Sequence, residues 1–171
     1  LNSMNCGSVR YFICHNSARF KINYNSINQC RKLEKILDND KCFYDFKKRV
    51  KLLSKKLNLI IKNLNKKKKI IHIYGASTKG NISIQYLKLT VKDIGFAADR
   101  NPLKWNRKMP GSNIPIISEE SSRAKNPDFY LVLPWHFKKG FVEREEKFLK
   151  RGGKLIFPLP KIEILSKNKL K

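Results

Sequence analysis

Acidic residues are scarce in this chain: 13 Asp and Glu stand against 38 Lys and Arg, a formal net charge of +25 over 171 residues. Such an excess points first to nucleic acid. The kind of cation argues against that partner. The basic residues are nearly all Lys and are spread along the chain, with dense patches only at 66–69 and after Leu165. They accompany an abundance of Asn and Ile, the mix that codon bias in a low-GC genome produces. Nucleic acid is therefore discounted as the main partner. The charge still favours anionic ligands and makes their binding salt-dependent.

Long apolar runs are missing as well. None approaches the ~20 residues a spanning helix needs, so no membrane partner is expected. The first residues lack a secretory pattern of basic residues, apolar stretch and small-residue cleavage site, and a cytoplasmic location is expected. Cys6, Cys14, Cys30 and Cys42 show no CxxC spacing, so they read as reduced thiols and no metal site is expected. Neither GxGxxG nor a Walker A loop occurs, and there are no internal repeats.

What is present suffices for one domain with a core: 41% of residues are hydrophobic and 11% aromatic. Residues 8–15, SVRYFICH, alternate with apolar groups on both faces, the mark of a strand covered on both sides. A helix is expected from Ser26, as N-cap, to Leu37. A longer one is expected from Cys42 to Leu64, striped by Phe43, Phe46, Val50, Leu53, Leu57, Ile60 or Ile61, and Leu64. Lys66 to Lys69 close it, where cations suit the helix dipole.

From residue 70 strands and helices alternate: strand 70–74, helix 79–87, strand 94–98, a long Pro- and Gly-broken connection over 99–116, a short helix 119–124, strand 128–133, helix 136–150 with Phe137, Phe141 and Phe148 toward the sheet, and strand 154–157. This predicts an α/β fold, a small Rossmann-like parallel sheet with flanking helices, preceded by the long amphipathic helix and an orphan N-terminal strand.

The stretch IYGASTKGN, 73–81, reads as strand, tight loop and helix start. In open α/β sheets ligands sit at such junctions. Gly75 permits a sharp exit from the strand, Ser77 and Thr78 offer hydroxyls and backbone N–H groups, Lys79 a charge, and the helix start a partial positive charge. With Gly80 and Asn81 they form a candidate phosphate cradle; the plainer reading is a tight turn made by Gly75 and Gly80. Tyr74, at the strand end, is a candidate for the cleft wall. Asp99 ends the next strand, where it could accept from ribose hydroxyls or open a turn before Asn101 and Pro102. Arg100 could meet phosphate or pair with Asp128. Trp135 could stack on a base or pack over the sheet end, and His136 could donate to substrate or start a helix. His15 and His72 read as structural.

The motifs CGSVRYFICH, GASTKGN, DRNP, PGSNIPI, LVLPWHFK and RGGKLIFPLP stand in this order from Cys6 to Pro160. Together they resemble the C-terminal domain of the S-adenosylmethionine-dependent sugar C-methyltransferases, which act on nucleotide-linked keto-deoxysugars. The resemblance implies deoxysugar biosynthesis, with a nucleotide-diphosphate sugar as ligand whose diphosphate faces the loop at 75–81. The candidate substrate-binding residues are Tyr74, Gly75, Ser77, Thr78, Lys79, Gly80, Asn81, Asp99, Arg100, Asn101, Trp135 and His136, those outside the loop on the residue-by-residue grounds given above. It departs at Cys6, where the family usually has Gly. The family's zinc-spaced cysteines, glycine-rich cofactor loop and YHEH stretch are not in this sequence. No catalytic residue and no cofactor are therefore expected in this chain, S-adenosylmethionine belonging to the full enzyme and the missing methyltransferase domain being the expected partner. On this reading 1–25 is a remnant of the preceding methyltransferase domain, 26–67 a helical connector, 68–162 the Rossmann-like substrate-binding domain and 163–171 a basic tail. The alternatives are a freestanding nucleotide-binding module, a basic nucleic-acid-binding protein, or a non-functional gene remnant.

Overall fold

A computed structural model describes residues 7–167. Cys6 and the last residues of the basic tail lie outside them. The chain divides into two compact units, Leu1–Lys51 and Leu52–Lys171.

In the first unit, Ser8 makes an isolated bridge and 9–15 carry no regular structure. The expected strand is not formed, and Tyr11, Phe12 and Ile13 stand exposed. Helix α1 spans Tyr24–Glu34. Its N-cap is Asn23, not Ser26: the Asn23 side chain accepts the Ser26 N–H at 3.0 Å, which places Ser26 inside the first turn. A 3-10 turn, Lys35–Asp38, follows. Helix α2, Lys41–Lys66, runs across the boundary of the two units. Its first turns leave Phe43 and Phe46 exposed, so the predicted stripe is buried only from Leu57 onward.

The second unit is a six-stranded sheet in the order β3-β2-β1-β4-β5-β6. The strands are β1 Ile71–Tyr74, β2 Phe96–Ala98, β3 Ile116–Ile117, β4 Phe129–Val132, β5 Lys154–Phe157 and β6 Glu163–Leu165. Five are parallel and β6 is antiparallel to β5. This is the doubly wound order, whose reversal point lies between β1 and β4. The helices are α3 Thr78–Tyr86, α4 Glu119–Ala124, α5 Lys138–Arg144 and α6 Glu146–Lys150.

Both sheet faces are covered, which is why the inner strands are apolar at consecutive positions. Ile71, Ile73, Leu131 and Ile156 pack with Leu57 and Ile61 of α2 and Ile84 of α3. On the other face Tyr74, Tyr130, Val132 and Leu155 pack with Phe141 of α5 and Phe148 and Leu149 of α6. The helix expected over 136–150 is three pieces. A 3-10 turn at Trp135–Phe137 shifts the phase, so Phe137 is exposed while Phe141 and Phe148 are buried.

Two strands were not anticipated. β3 closes the connection expected to be irregular, which folds back on itself: Met109 N–H donates to Ile114 O at 2.8 Å, and Lys108 bridges Pro115. β6 lies where a basic tail was expected, its Glu163 paired with Lys138 of α5. No helix among the described residues is long and apolar enough to cross a membrane.

Candidate functional site

Three segments meet at the carboxyl edge of β1, β2 and β4. Gly75 leaves β1 with φ +88, a left-handed conformation that suits only glycine, and a Cβ there would lie 2.6 Å from Pro134 Cγ. Loop 75–77 thus presses directly on the turn after β4. Gly80 has a comparable role in the first turn of α3: a Cβ would lie 2.6 Å from Leu133 Cδ1, so only glycine lets the start of that helix sit on the end of β4.

Ser77 caps α3. Its hydroxyl accepts the Gly80 N–H at 3.1 Å, and its carbonyl accepts the Asn81 N–H at 2.8 Å. The N–H groups of Thr78 and Lys79, in the first turn, have no acceptor within the helix. They add their partial positive charge to that of the exposed Lys79. Asn81 is half-buried, and its side-chain oxygen is buried without a partner among the described residues.

Asp99 ties the third segment in. One carboxylate oxygen accepts from Ala76 N–H at 2.9 Å and Lys104 Nζ at 3.0 Å; the other accepts from Asn101 N–H at 2.9 Å. Lys104 Nζ also donates to the Ala76 carbonyl at 3.0 Å. Trp105 Nε1 donates to the Asp99 carbonyl at 2.7 Å, and Asn101 caps the Pro102–Lys104 turn through the Leu103 N–H. Asp99 is therefore occupied in holding the loops together.

Gly75, Ser77, Thr78, Lys79, Gly80, Asn81, Asp99 and Asn101 stand on one connected set of loops, with Trp135 and His136 on the turn that touches Gly75. Trp135 packs partly on the aromatic core, and the His136 ring lies 4.3 Å from that of Phe137.

One candidate lies elsewhere, and a second does not have the ion-pair partner expected for it. Tyr74 does not line the cleft: it is 2% exposed, and its hydroxyl donates to Glu145 at 2.8 Å on the α5–α6 face. Strand alternation dictates this, because Ile73 already occupies the opposite face. Arg100 does not pair with Asp128. It lies 3.9 Å from Glu119, while Asp128 holds Lys69 and the Ile70 N–H.

Sequence reasoning missed Lys104 and Trp105, although both lie just after the DRNP stretch that Asp99 opens. It also missed a buried polar network. Glu145, 1% exposed, accepts from Tyr74 and from Arg123, whose guanidinium also reaches Glu119. Burial, and then the Glu145 charge, keep the Tyr74 hydroxyl protonated far above its ordinary range. His72 pairs through Nδ1 with the Ser122 hydroxyl at 2.8 Å, and burial followed by the Lys125 charge lowers its pKa to about 4. His72 is thus structural, as expected.

The family model for the C-methyltransferase C-terminal domain matches residues 3–160. Among curated proteins, C-methyltransferase NovU of Streptomyces niveus is 38% identical over 93 residues, which cover 54% of this chain and 22% of NovU. The chain thus matches only about a fifth of that protein's length.

Proposed function

The chain belongs to the C-methyltransferase C-terminal domain family, and from that premise we propose that it is the portion of such an enzyme that holds a nucleotide-linked sugar substrate. The observation that carries the reading is the loop at 75–81. It sits at the reversal point of the sheet, offers two first-turn N–H groups with no acceptor within the helix beside Lys79, and has the carboxylate bound to it, Asp99, neutralised by Lys104. A diphosphate is the ligand group that such an arrangement suits. The proposed substrate is a nucleotide-diphosphate keto-deoxysugar, as the resemblance implies.

In this proposal the methyl donor, S-adenosylmethionine, and the acid–base groups that deprotonate the carbon beside the ketone belong to the rest of the enzyme. The exposed Tyr11, Phe12 and Ile13 support that division, since a strand with apolar groups on both faces needs a sheet to join. That sheet is assigned to the methyltransferase domain.

Calorimetric titration with thymidine diphosphate and with a thymidine-diphosphate sugar tests the reading. Saturable binding that weakens with salt is the expected result. No heat from either ligand at millimolar concentration overturns it. The chain alone is expected to transfer no labelled methyl group to the same sugar.

A further inference from the structure

We propose that Lys104 is the positioning residue of this loop: its ammonium sets the direction in which the loop presents its N–H donors to an anionic ligand. The proposal rests on reading 75–81 as a phosphate-binding loop.

The geometry is a closed triangle of three groups. Lys104 Nζ donates to Asp99 at 3.0 Å and to the Ala76 carbonyl at 3.0 Å, while Ala76 N–H donates to the same Asp99 oxygen at 2.9 Å. Those two Ala76 atoms belong to different peptide planes, so the planes on both sides of Ala76 are held. The second plane contains the Ser77 N–H. In a planar trans peptide the N–H points opposite to the carbonyl. Holding the Ala76 carbonyl toward Lys104 therefore aims the Ser77 N–H to the side away from Lys104. Among the described residues, Lys104 is the partner that holds this carbonyl.

Charge acts in the same direction. The Asp99 side chain is only 12% exposed, and an unneutralised carboxylate there would repel a diphosphate across a poorly screened distance. Lys104 removes that repulsion. It is itself held in place, since the turn that carries it is capped by Asn101 and pinned by the Trp105–Asp99 hydrogen bond. An ammonium has three donors; two are used here and the third is free for ligand or water.

The test is titration of the 171-residue chain with thymidine diphosphate, comparing Lys104→Met and Lys104→Arg with wild type and checking each by thermal melting. The methionine variant should bind about tenfold or more weakly, and arginine, which can span both acceptors, should recover to within about threefold. In wild type the Ser77 amide resonance should move on ligand addition, and in the methionine variant it should not. If the methionine variant does not fold, Lys104→Ala takes its place, removing donor and charge alike, with the same expected loss. Wild-type binding matched within twofold by a folded methionine or alanine variant overturns the role of Lys104 and leaves the phosphate-loop reading intact. Silence of the wild type toward the diphosphate overturns that reading, and Lys104's role with it.

Discussion

Gly75 and Pro134 touch where the sheet order reverses: a Cβ on Gly75 would lie 2.6 Å from Pro134 Cγ and 2.8 Å from Cδ. The proline ring is rigid and follows a buried strand, so neither partner can yield. Gly75→Ala adds this overlap to the strain of φ +88. Overpacking of this kind costs about 1–3 kcal/mol, and a sparsely populated backbone conformation adds on the order of 1 kcal/mol or more. At about 2–4 °C per kcal/mol for a chain of this size, the melting temperature should fall by roughly 5–10 °C. A shift below about 2 °C in calorimetry would show that the turn after β4 moves aside freely.

Lys79 should matter for binding and not for folding. Its side chain is exposed and forms no ion pair among the described residues. A hydrogen bond to a charged group contributes about 1.5–3 kcal/mol, so Lys79→Ala should weaken binding of a nucleotide diphosphate roughly ten- to a hundred-fold. It should also flatten the salt dependence of that binding, with an unchanged melting curve. Equal affinity in calorimetry would take Lys79 out of the site.

The regions of the fold that are legible in the sequence are those with continuous apolar runs between strong breakers. β1 ends at Gly75, β4 at Pro134, and β5 follows Gly152-Gly153; burial on both faces leaves such runs little choice. β3 and β6 are hidden because each is two or three residues long and lies among prolines or charges, so only pairing with a longer neighbour reveals it. The glycine loop was readable for a similar reason, since Gly75 and Gly80 sit where backbone meets side chain. The direction of Tyr74 was not. When both faces of a strand are covered, Ile73 and Tyr74 give no sign of which faces which helix. The pairing of Asp99 with Lys104 depends on the Pro102–Lys104 turn, whose curvature the proline and the Asn101 cap hint at but do not fix.

The network around Glu145 should be a strong stability determinant. Removing one partner of a buried ion pair leaves an uncompensated charge, at a cost of about 3–5 kcal/mol. Arg123→Met does this to Glu145, although Tyr74 still donates to it, so the low end, about 3 kcal/mol, is expected. Adding Glu145→Gln to that variant should restore most of the loss. Urea unfolding of the two variants decides; a single variant within about 1 kcal/mol of wild type would show that the remaining donors hold the carboxylate unaided.

His72 should make stability depend on pH in a defined window. Its ring is 2% exposed, lies against Phe96 and Tyr130, and pairs with the Ser122 hydroxyl. Burial first, and the nearby Lys125 charge second, lower its pKa from 6.5 to about 4. Between those values the unfolded chain binds a proton that the folded chain does not. Stability contributed by the neutral ring is therefore full above pH 6.5 and is lost progressively as pH falls toward 4, where the loss levels off. The total is on the order of 3 kcal/mol. Carboxylates such as Asp128, whose pKa is lowered by Lys69 and the Ile70 N–H against the opposing effect of burial, add their own loss at the acid end. The comparison must therefore be with His72→Asn, whose amide can still pair with Ser122 but does not titrate. The stability difference between wild type and variant, from urea unfolding at a series of pH values, should slope only between pH 6.5 and 4. A difference that stays flat across that window would mean that the folded protein accepts the proton on His72 as readily as the unfolded chain does.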